Sequence, residues 1–174
     1  QAEAMAISDR IAVMRKGQIL QVGTPQELYL NPEHIFVANF IGESNFLEGY
    51  VTELDGNELT IELRGGLHVR SLDKMHKKGE KVVIAVRPEI LAVEKGEKRG
   101  KNSIVGHIEG LRFEGTNLRY EIQLENGDMV VVVHPALMAE WLNAGEKVTV
   151  SFPMEKSFVF TYPERGLTRE LALE

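Results

Sequence analysis

Leu118-Arg119-Tyr120-Glu121-Ile122-Gln123-Leu124-Glu125-Asn126-Gly127-Asp128-Met129-Val130-Val131-Val132-Val133 carries two strands and the turn between them. Leu118, Tyr120, Ile122 and Leu124 alternate with polar neighbours, the period of a strand with one buried face. Asn126-Gly127 is a strong turn signal, and Met129 to Val133 is the apolar return. The same pattern stands earlier in the chain. Leu59, Ile61 and Leu63 alternate with Thr60, Glu62 and Arg64, between turn signals at Asp55-Gly56 and Gly65-Gly66. Val82 to Val86 is a continuous apolar run, the mark of a buried strand.

One echo joins the two regions. Gly79-Glu80-Lys81-Val82 is matched by Gly145-Glu146-Lys147-Val148, and each run ends at a proline, Pro88 or Pro153. Two related half-modules fit this, about 45–98 and 103–162, each of about five short strands. Such sheets can close as paired small barrels of the oligonucleotide/oligosaccharide-binding (OB) type. Lys147 to Phe152 and Phe158 to Tyr162 supply the last strands. Pro135 to Asn143 is expected to be a short helix with Trp141 and Leu142 facing the core. Glu94 to Asn102, charged and glycine-bearing, is expected to be a solvated linker or long loop.

The first 44 residues have a different character. Gln1 to Ile7 is Ala-rich and helical. Ile11–Val22 is a hairpin turned at Lys16-Gly17. Thr24, Pro25 and Glu27 make a helix start with a capping box, and Asn31-Pro32 stops that helix. Ile35, Phe36, Val37, Phe40 and Ile41 recur at helical spacing and end at Gly42. With no initiator Met and no cap before the first helix, the chain is expected to be a piece of a longer protein. The hairpin is expected to have belonged to a larger sheet, and so to be disordered here or paired with a second chain.

Bulk properties narrow the function. Hydrophobic residues at 43% are enough for a core, and acidic residues outnumber basic ones 26 to 20, for a net charge of -6. That balance speaks against non-specific binding to nucleic acid or to an anionic membrane. There is no cysteine, so disulfides and thiolate metal sites are excluded. No apolar run approaches the ~20 residues of a membrane span. The sequence has no Walker-type phosphate loop, no Gly-x-Gly-x-x-Gly and no nucleophile elbow. Histidines 34, 68, 76, 107 and 134 lack metal-ligand spacing. Glu109, Glu114, Glu121, Glu125 and Asp128 are either a solvated face or a carboxylate patch for a cationic ligand. Trp141 is expected to fill the core rather than to stack on a ligand.

Two stretches carry a family resemblance. Gln1 to Pro25, with Ala2-Glu3-Ala4, Ser8-Asp9-Arg10 and Gly23-Thr24-Pro25, resembles the segment just past the switch histidine of ABC-transporter ATPases. Leu28-Tyr29-Leu30-Asn31-Pro32 and Phe36 to Gly42 resemble the closing helices of the importer ATPases. Arg87-Pro88-Glu89 resembles the hallmark of the transport-associated OB (TOBE) modules that follow those domains. Ile41 to Phe46, Phe113 to Thr116 and Glu121 to Gly127 are similar to the spermidine/putrescine importer type.

The resemblance implies a mostly β fold: tandem OB-like (TOBE/MOP-like) barrel modules over 45–174, preceded by a short α/β remnant of the ATPase domain over 1–44. It implies a regulatory and dimerisation module without catalysis of its own. ATP and Mg²⁺ would belong to the full-length subunit, with no cofactor or metal in this stretch. The implied partners are a second copy and, for the whole protein, permease subunits at the inner face of the membrane; nucleic acid is not among them. The alternative is a sensor that binds a polyamine or an oxyanion and inhibits transport. The candidate regulatory or ligand residues are Arg87, Pro88, Glu89, Glu114, Glu125 and Asp128.

Overall fold

The computed structural model describes residues 1–172. They form two compact units, one of residues 1–44 with the segment from Tyr162 onward, the other Asn45–Thr161.

In the first unit, α1 (Ala2–Ile7) precedes the hairpin β1 (Ile11–Arg15) and β2 (Gln18–Gly23). Lys16 and Gly17 both take positive φ, 49° and 79°. That is the two-residue turn whose twist suits paired strands. α2 (Pro25–Leu30) opens on a complete capping box. The Glu27 amide donates to Thr24 Oγ1 at 3.1 Å, and the Thr24 amide donates to Glu27 Oε2 at 2.8 Å. Gly23 is required beside it, because a Cβ there would lie 2.8 Å from Glu27 Oε2.

The hairpin is formed, against the expectation of disorder. Val13, with Ile11 and Leu20, packs on Leu28 of α2 and on Phe36 and Val37 of α3 (Ile35–Ile41). The chain therefore covers one hairpin face with its own helices. The other face, with the pairs Ala12–Val22 and Met14–Ile19, is exposed. The second domain, expected to run to residue 174, gives up its tail. Arg15 explains this: Nη1 contacts Glu170 Oε1 at 3.1 Å, and Nη2 donates to the carbonyls of Arg169 and Ala172 at 3.0 and 3.1 Å. These contacts hold α4 (Leu167–Leu171) in the first unit.

The second unit is all β. Its strands are β3 (Asn45–Asp55), β4 (Glu58–Leu63), β5 (His68–Leu72), β6 (Lys81–Val86), β7 (Ala92–Lys95), β8 (Ser103–Glu114), β9 (Asn117–Leu124), β10 (Met129–Pro135), β11 (Lys147–Ser151) and β12 (Ser157–Thr161). They form two five-stranded antiparallel sheets, ordered β12-β6-β3-β4-β5 and β10-β9-β8-β11-β7. The fold is mostly β, as expected. The sheets do not follow the sequence halves, however. β7, from the first half, pairs with β11, and β12, from the second half, pairs with β6. Each half lends its last strand to the other.

The two halves correspond element by element in strand order. β3 shifts register between Val51 and Glu53, and β8 shifts between Ile108 and Gly110. The Val51 amide donates to the Glu80 carbonyl at 3.0 Å, and the Ile108 amide to that of Glu146 at 2.9 Å. The Gly-Glu-Lys-Val echo is therefore structural. A single core runs through both halves, with Val51, Leu59, Ile61 and Ile84 from one and Ile108, Tyr120, Ile122 and Val148 from the other. Instead of the expected helix over 135–143, Pro135 ends β10, residues 136–138 form a turn and the chain then runs irregularly to Asn143; Leu142 is buried but Trp141 is 58% exposed.

Candidate functional site

The crossover Arg87–Leu91 carries the chain from β6 to β7, and so from one sheet to the other. Pro88 has no amide to donate, which ends β6 at its natural place. Its carbonyl accepts from the Val133 amide of β10 at 3.1 Å. His134 Nε2 donates to the Leu91 carbonyl at 2.6 Å. Arg87 is buried, its guanidinium 5.7 Å from the ring centroid of Phe158 on the borrowed strand β12. Burial pulls its pKa down to about 10, so it stays charged at neutral pH. Glu89 is exposed on the same crossover. Arg87 and Pro88 thus bind the exchanged parts together, while Glu89 faces solvent.

The other candidates lie elsewhere. Asp128 sits in the β9–β10 turn and pairs with Arg64, in the equivalent turn after β4. Asn126 Nδ2 donates to the Arg64 carbonyl at 2.9 Å, and its Oδ1 accepts from the Asp128 amide at 3.0 Å. The twin turns meet so closely that a Cβ on Gly65 would lie 3.0 Å from Asn126 Cβ. Glu125 is exposed on this turn, and Glu114 is exposed at the tip of the β8–β9 hairpin. The six residues therefore occupy three places and make no single pocket. The acidic run does not converge either: Glu109 contacts His107 at 2.8 Å and Glu121 contacts Arg112 at 3.1 Å. Among the described residues no three His, Asp or Glu side chains are grouped to hold a metal.

The sequence reading missed two asparagines. Asn45, at the start of β3, accepts from the Val131 amide at 2.7 Å and donates to the Val131 carbonyl at 2.9 Å. Asn102, just before β8, does the same to Arg70 of β5, at 2.7 and 2.8 Å. Each half holds the other half's edge strand by copying a neighbouring strand's hydrogen bonds. The one signal available was an Asn at the start of, or just before, each long alternating strand.

A mixed-charge groove of about 640 Å³ lies on the outer face of β3–β4–β5. Thr52, Glu53, Glu62, His68, Arg70 and Lys101 line it. Its lining mixes carboxylates with cationic groups, His68 Nε2 lying 3.9 Å from Glu62 Oε2, so it can hold a small polar ligand.

A strand-exchanged pair of small barrels, joined by an Arg-Pro-Glu crossover, is the architecture of a TOBE module. Residues 84–160 match the TOBE domain family. Among curated proteins, the chain is 44% identical over 134 residues to the spermidine/putrescine import ATP-binding protein PotA of Fusobacterium nucleatum, covering 74% of this chain and 36% of that protein. It is 40% identical over 133 residues to PotA of Vibrio vulnificus, covering 76% and 35%. It is 34% identical over 161 residues to the Fe(3+) ions import ATP-binding protein FbpC of Fusobacterium nucleatum, covering 92% and 42%. Among solved structures, the cytoplasmic molybdate-binding protein ModG matches with TM-score 0.59 at 18% identity, covering 67% of this chain and 95% of that one. That last likeness shows the fold. The chain carries a TOBE domain and is homologous to the ATP-binding subunits of ABC importers. The matched stretch spans between 35% and 42% of the length of these curated relatives.

Proposed function

We propose that this chain is the C-terminal regulatory and dimerisation portion of the ATP-binding subunit of an ABC importer, with spermidine and putrescine as cargo. The observation that carries the reading is the 44% identity to a polyamine import subunit over 134 residues, 74% of this chain. The work of the module is mechanical. A contact between two copies that persists while their ATPase domains open keeps the chains at high effective concentration. The interlocked strands make the barrel pair a stiff body for such a contact. ATP and Mg²⁺ are handled by the full-length subunit, since this sequence has no phosphate-binding loop. Permease subunits at the cytoplasmic face of the membrane are its partners in the assembly.

The test is uptake of labelled spermidine, putrescine and ferric ion by cells whose full-length subunit lacks residues 45–161. The expected result is impaired or unregulated polyamine uptake with iron uptake untouched. Loss of iron uptake alone overturns the cargo, and ATP hydrolysis by the purified chain overturns the non-catalytic role.

A second reading, a ligand sensor, is favoured by the mixed-charge groove. Glu53 and Glu62 suit a polyamine, and Arg70 with Lys101 suits an oxyanion. Calorimetry of the chain with spermidine, putrescine, molybdate and sulfate decides it, because a purely mechanical module gives no heat with any of them.

A further inference from the structure

The halves are built alike, so the fold does not demand what one has and the other lacks. Two extensions mark the second half. Beyond its bulge β3 runs only to Asp55, whereas β8 runs on from the equivalent bulge to Glu114. The connection from β10 to β11, between Pro135 and Lys147, is longer than that from Leu72 to Lys81 in the first half.

The two extensions pack on each other. The rings of Phe113 and Trp141 lie 5.8 Å apart, tilted by 36°. The Ala136 amide donates to the Thr116 carbonyl at 2.8 Å, and Trp141 Nε1 donates to the Ala136 carbonyl at 3.2 Å. The Tyr120 hydroxyl donates to the Glu140 carbonyl from below. These bonds hold an apolar platform in solvent: Phe113 is 59% exposed, Trp141 58%, Met138 86% and Leu137 fully. The matching loop of the first half carries Lys74, Lys77 and Lys78, with Met75 its one exposed large apolar residue. An exposed aromatic pair, with Leu137 and Met138 exposed in the same hydrogen-bonded loop, marks a docking site, because single exposed residues are normal and local concentrations of them are not.

The border of the platform selects the occupant. Glu114 and Glu140 are exposed beside it, and the stretch 135–146 holds no Lys or Arg. Arg112, the nearest cation in the hairpin, is engaged by Glu121. We infer that this platform docks a basic amphipathic segment of a partner protein. Its apolar side chains would cover Phe113, Leu137, Met138 and Trp141, and its Lys or Arg side chains would meet Glu114 and Glu140. A second copy fits worse, since a two-fold contact brings like carboxylate borders together. An anionic lipid surface is repelled by the same carboxylates. The inference rests on the surface of the second half and not on the importer reading or its cargo.

Trp141 is the only tryptophan, so its emission reports the platform directly. The experiment titrates the chain with an amphipathic Leu/Lys peptide of about 18 residues, long enough for a full apolar stripe, and with its Leu/Glu counterpart. A saturable blue shift with the Leu/Lys peptide alone is expected. Leu137→Ser, at a site too exposed to affect folding, should weaken it by about tenfold or more if this side chain is an anchor. Glu114→Lys with Glu140→Lys should transfer the response to the Leu/Glu peptide, and Met75→Ser should change nothing. Several results overturn the proposal: no shift, equal shifts with both peptides, or a response that ignores Leu137→Ser. So do a shift that grows with the concentration of the chain alone, which assigns the face to a second copy, and a shift with phosphatidylglycerol vesicles.

Discussion

Asn45 binds both backbone groups of Val131, accepting from its amide at 2.7 Å and donating to its carbonyl at 2.9 Å. This one side chain stands where another strand would be. It is buried, and it satisfies an edge that lies 86 positions away in sequence. With Asn102 on Arg70 it makes the exchange reciprocal at the strand starts, as β7 and β12 make it reciprocal at the strand ends.

Asn45→Ala should cost about 1–3 kcal/mol, because it leaves the amide and carbonyl of half-buried Val131 without their partner. Asn102 also holds φ at 51°. Asn102→Gly keeps that backbone and should cost a comparable amount, while Asn102→Ala should cost more by roughly 1 kcal/mol of left-handed strain. Urea denaturation of the chain measures all three. Asn45→Ala as stable as the parent would show that water replaces the clamp.

Gly49 and Gly106 occupy the same place in the two halves. A Cβ on Gly49 would lie 2.6 Å from the Glu62 carbonyl oxygen, and one on Gly106 2.5 Å from that of Gln123. The obstacle is backbone, which cannot swing aside. Gly49→Ala and Gly106→Ala should each destabilise by about 1–3 kcal/mol through overpacking. Similar losses in urea melts are expected, since the two sites are structural copies; a neutral change at either would break the equivalence.

Ser71 and Ser157 close the first sheet toward a barrel, with their hydroxyls 2.7 Å apart between β5 and β12. Ser157 Oγ also donates to the Met154 carbonyl at 2.9 Å, so Ser71 must be the donor of the pair. Ser71→Ala should cost about 1 kcal/mol. Ser157→Ala should cost more, since it strands both Ser71 and the Met154 carbonyl. Thermal melts rank the two, and the reverse order would reassign the proton.

Much of this was legible in the sequence, for reasons that individual residues show. Lys16-Gly17 and the Thr24/Glu27 box are local devices, fixed by neighbours a few positions away, and they appear as read. Leu118 to Leu124 alternates because one face is buried, and every second residue is in fact in the core. The exchange was not legible, because β7 is only four residues long and its pairing with β11 depends on distant chain. Residues 135–143 have good helix formers, but Pro135 is the last residue of β10, paired with Asn117, and Ala136 gives its amide to Thr116, so tertiary bonds override propensity. Arg87 and Pro88 were singled out through their motif as regulatory candidates, whereas Asn45 and Asn102 act through geometry that no spacing rule describes.

Acid should reveal another pin of the exchanged strand. Asp73 Oδ2 accepts from the amides of Met75 and His76 at 3.0 and 2.9 Å and from His76 Nδ1 at 2.5 Å. His76 Nε2 in turn contacts Thr161 Oγ1, at the end of β12, at 3.0 Å. Burial pushes the Asp73 carboxyl up, but the hydrogen bonds from His76 and Met75 outweigh it and hold the pKa below its ordinary 3.8. A carboxylate held below its unfolded value stabilises the fold above that value, and the benefit fades as pH falls through the lower, folded one. Asp73→Asn should therefore be less stable than the parent at pH 7, with the gap narrowing below pH ~4. Urea midpoints measured from pH 7 to pH 2 for both proteins test this, and a gap that stays constant would mean that charge plays no part.

The exchange itself makes the sharpest demand. Phe160 is a buried residue of β12, and β12 is the outer neighbour of β6, not of β11, which precedes it in the chain. Phe160→Ala should cost about 3–5 kcal/mol, since it removes a large buried ring beside Val83. Its local effect should appear far upstream. When β12 loosens, β6 (Lys81–Val86) becomes a sheet edge, while β11 remains paired on both sides by β8 and β7. Hydrogen exchange on the variant should therefore show faster exchange in residues 81–86 than in the parent, with residues 147–151 sped only as much as the loss of global stability dictates. The opposite order, with β11 opening first, would mean that each half keeps its own last strand in solution and that the interlocked arrangement is wrong.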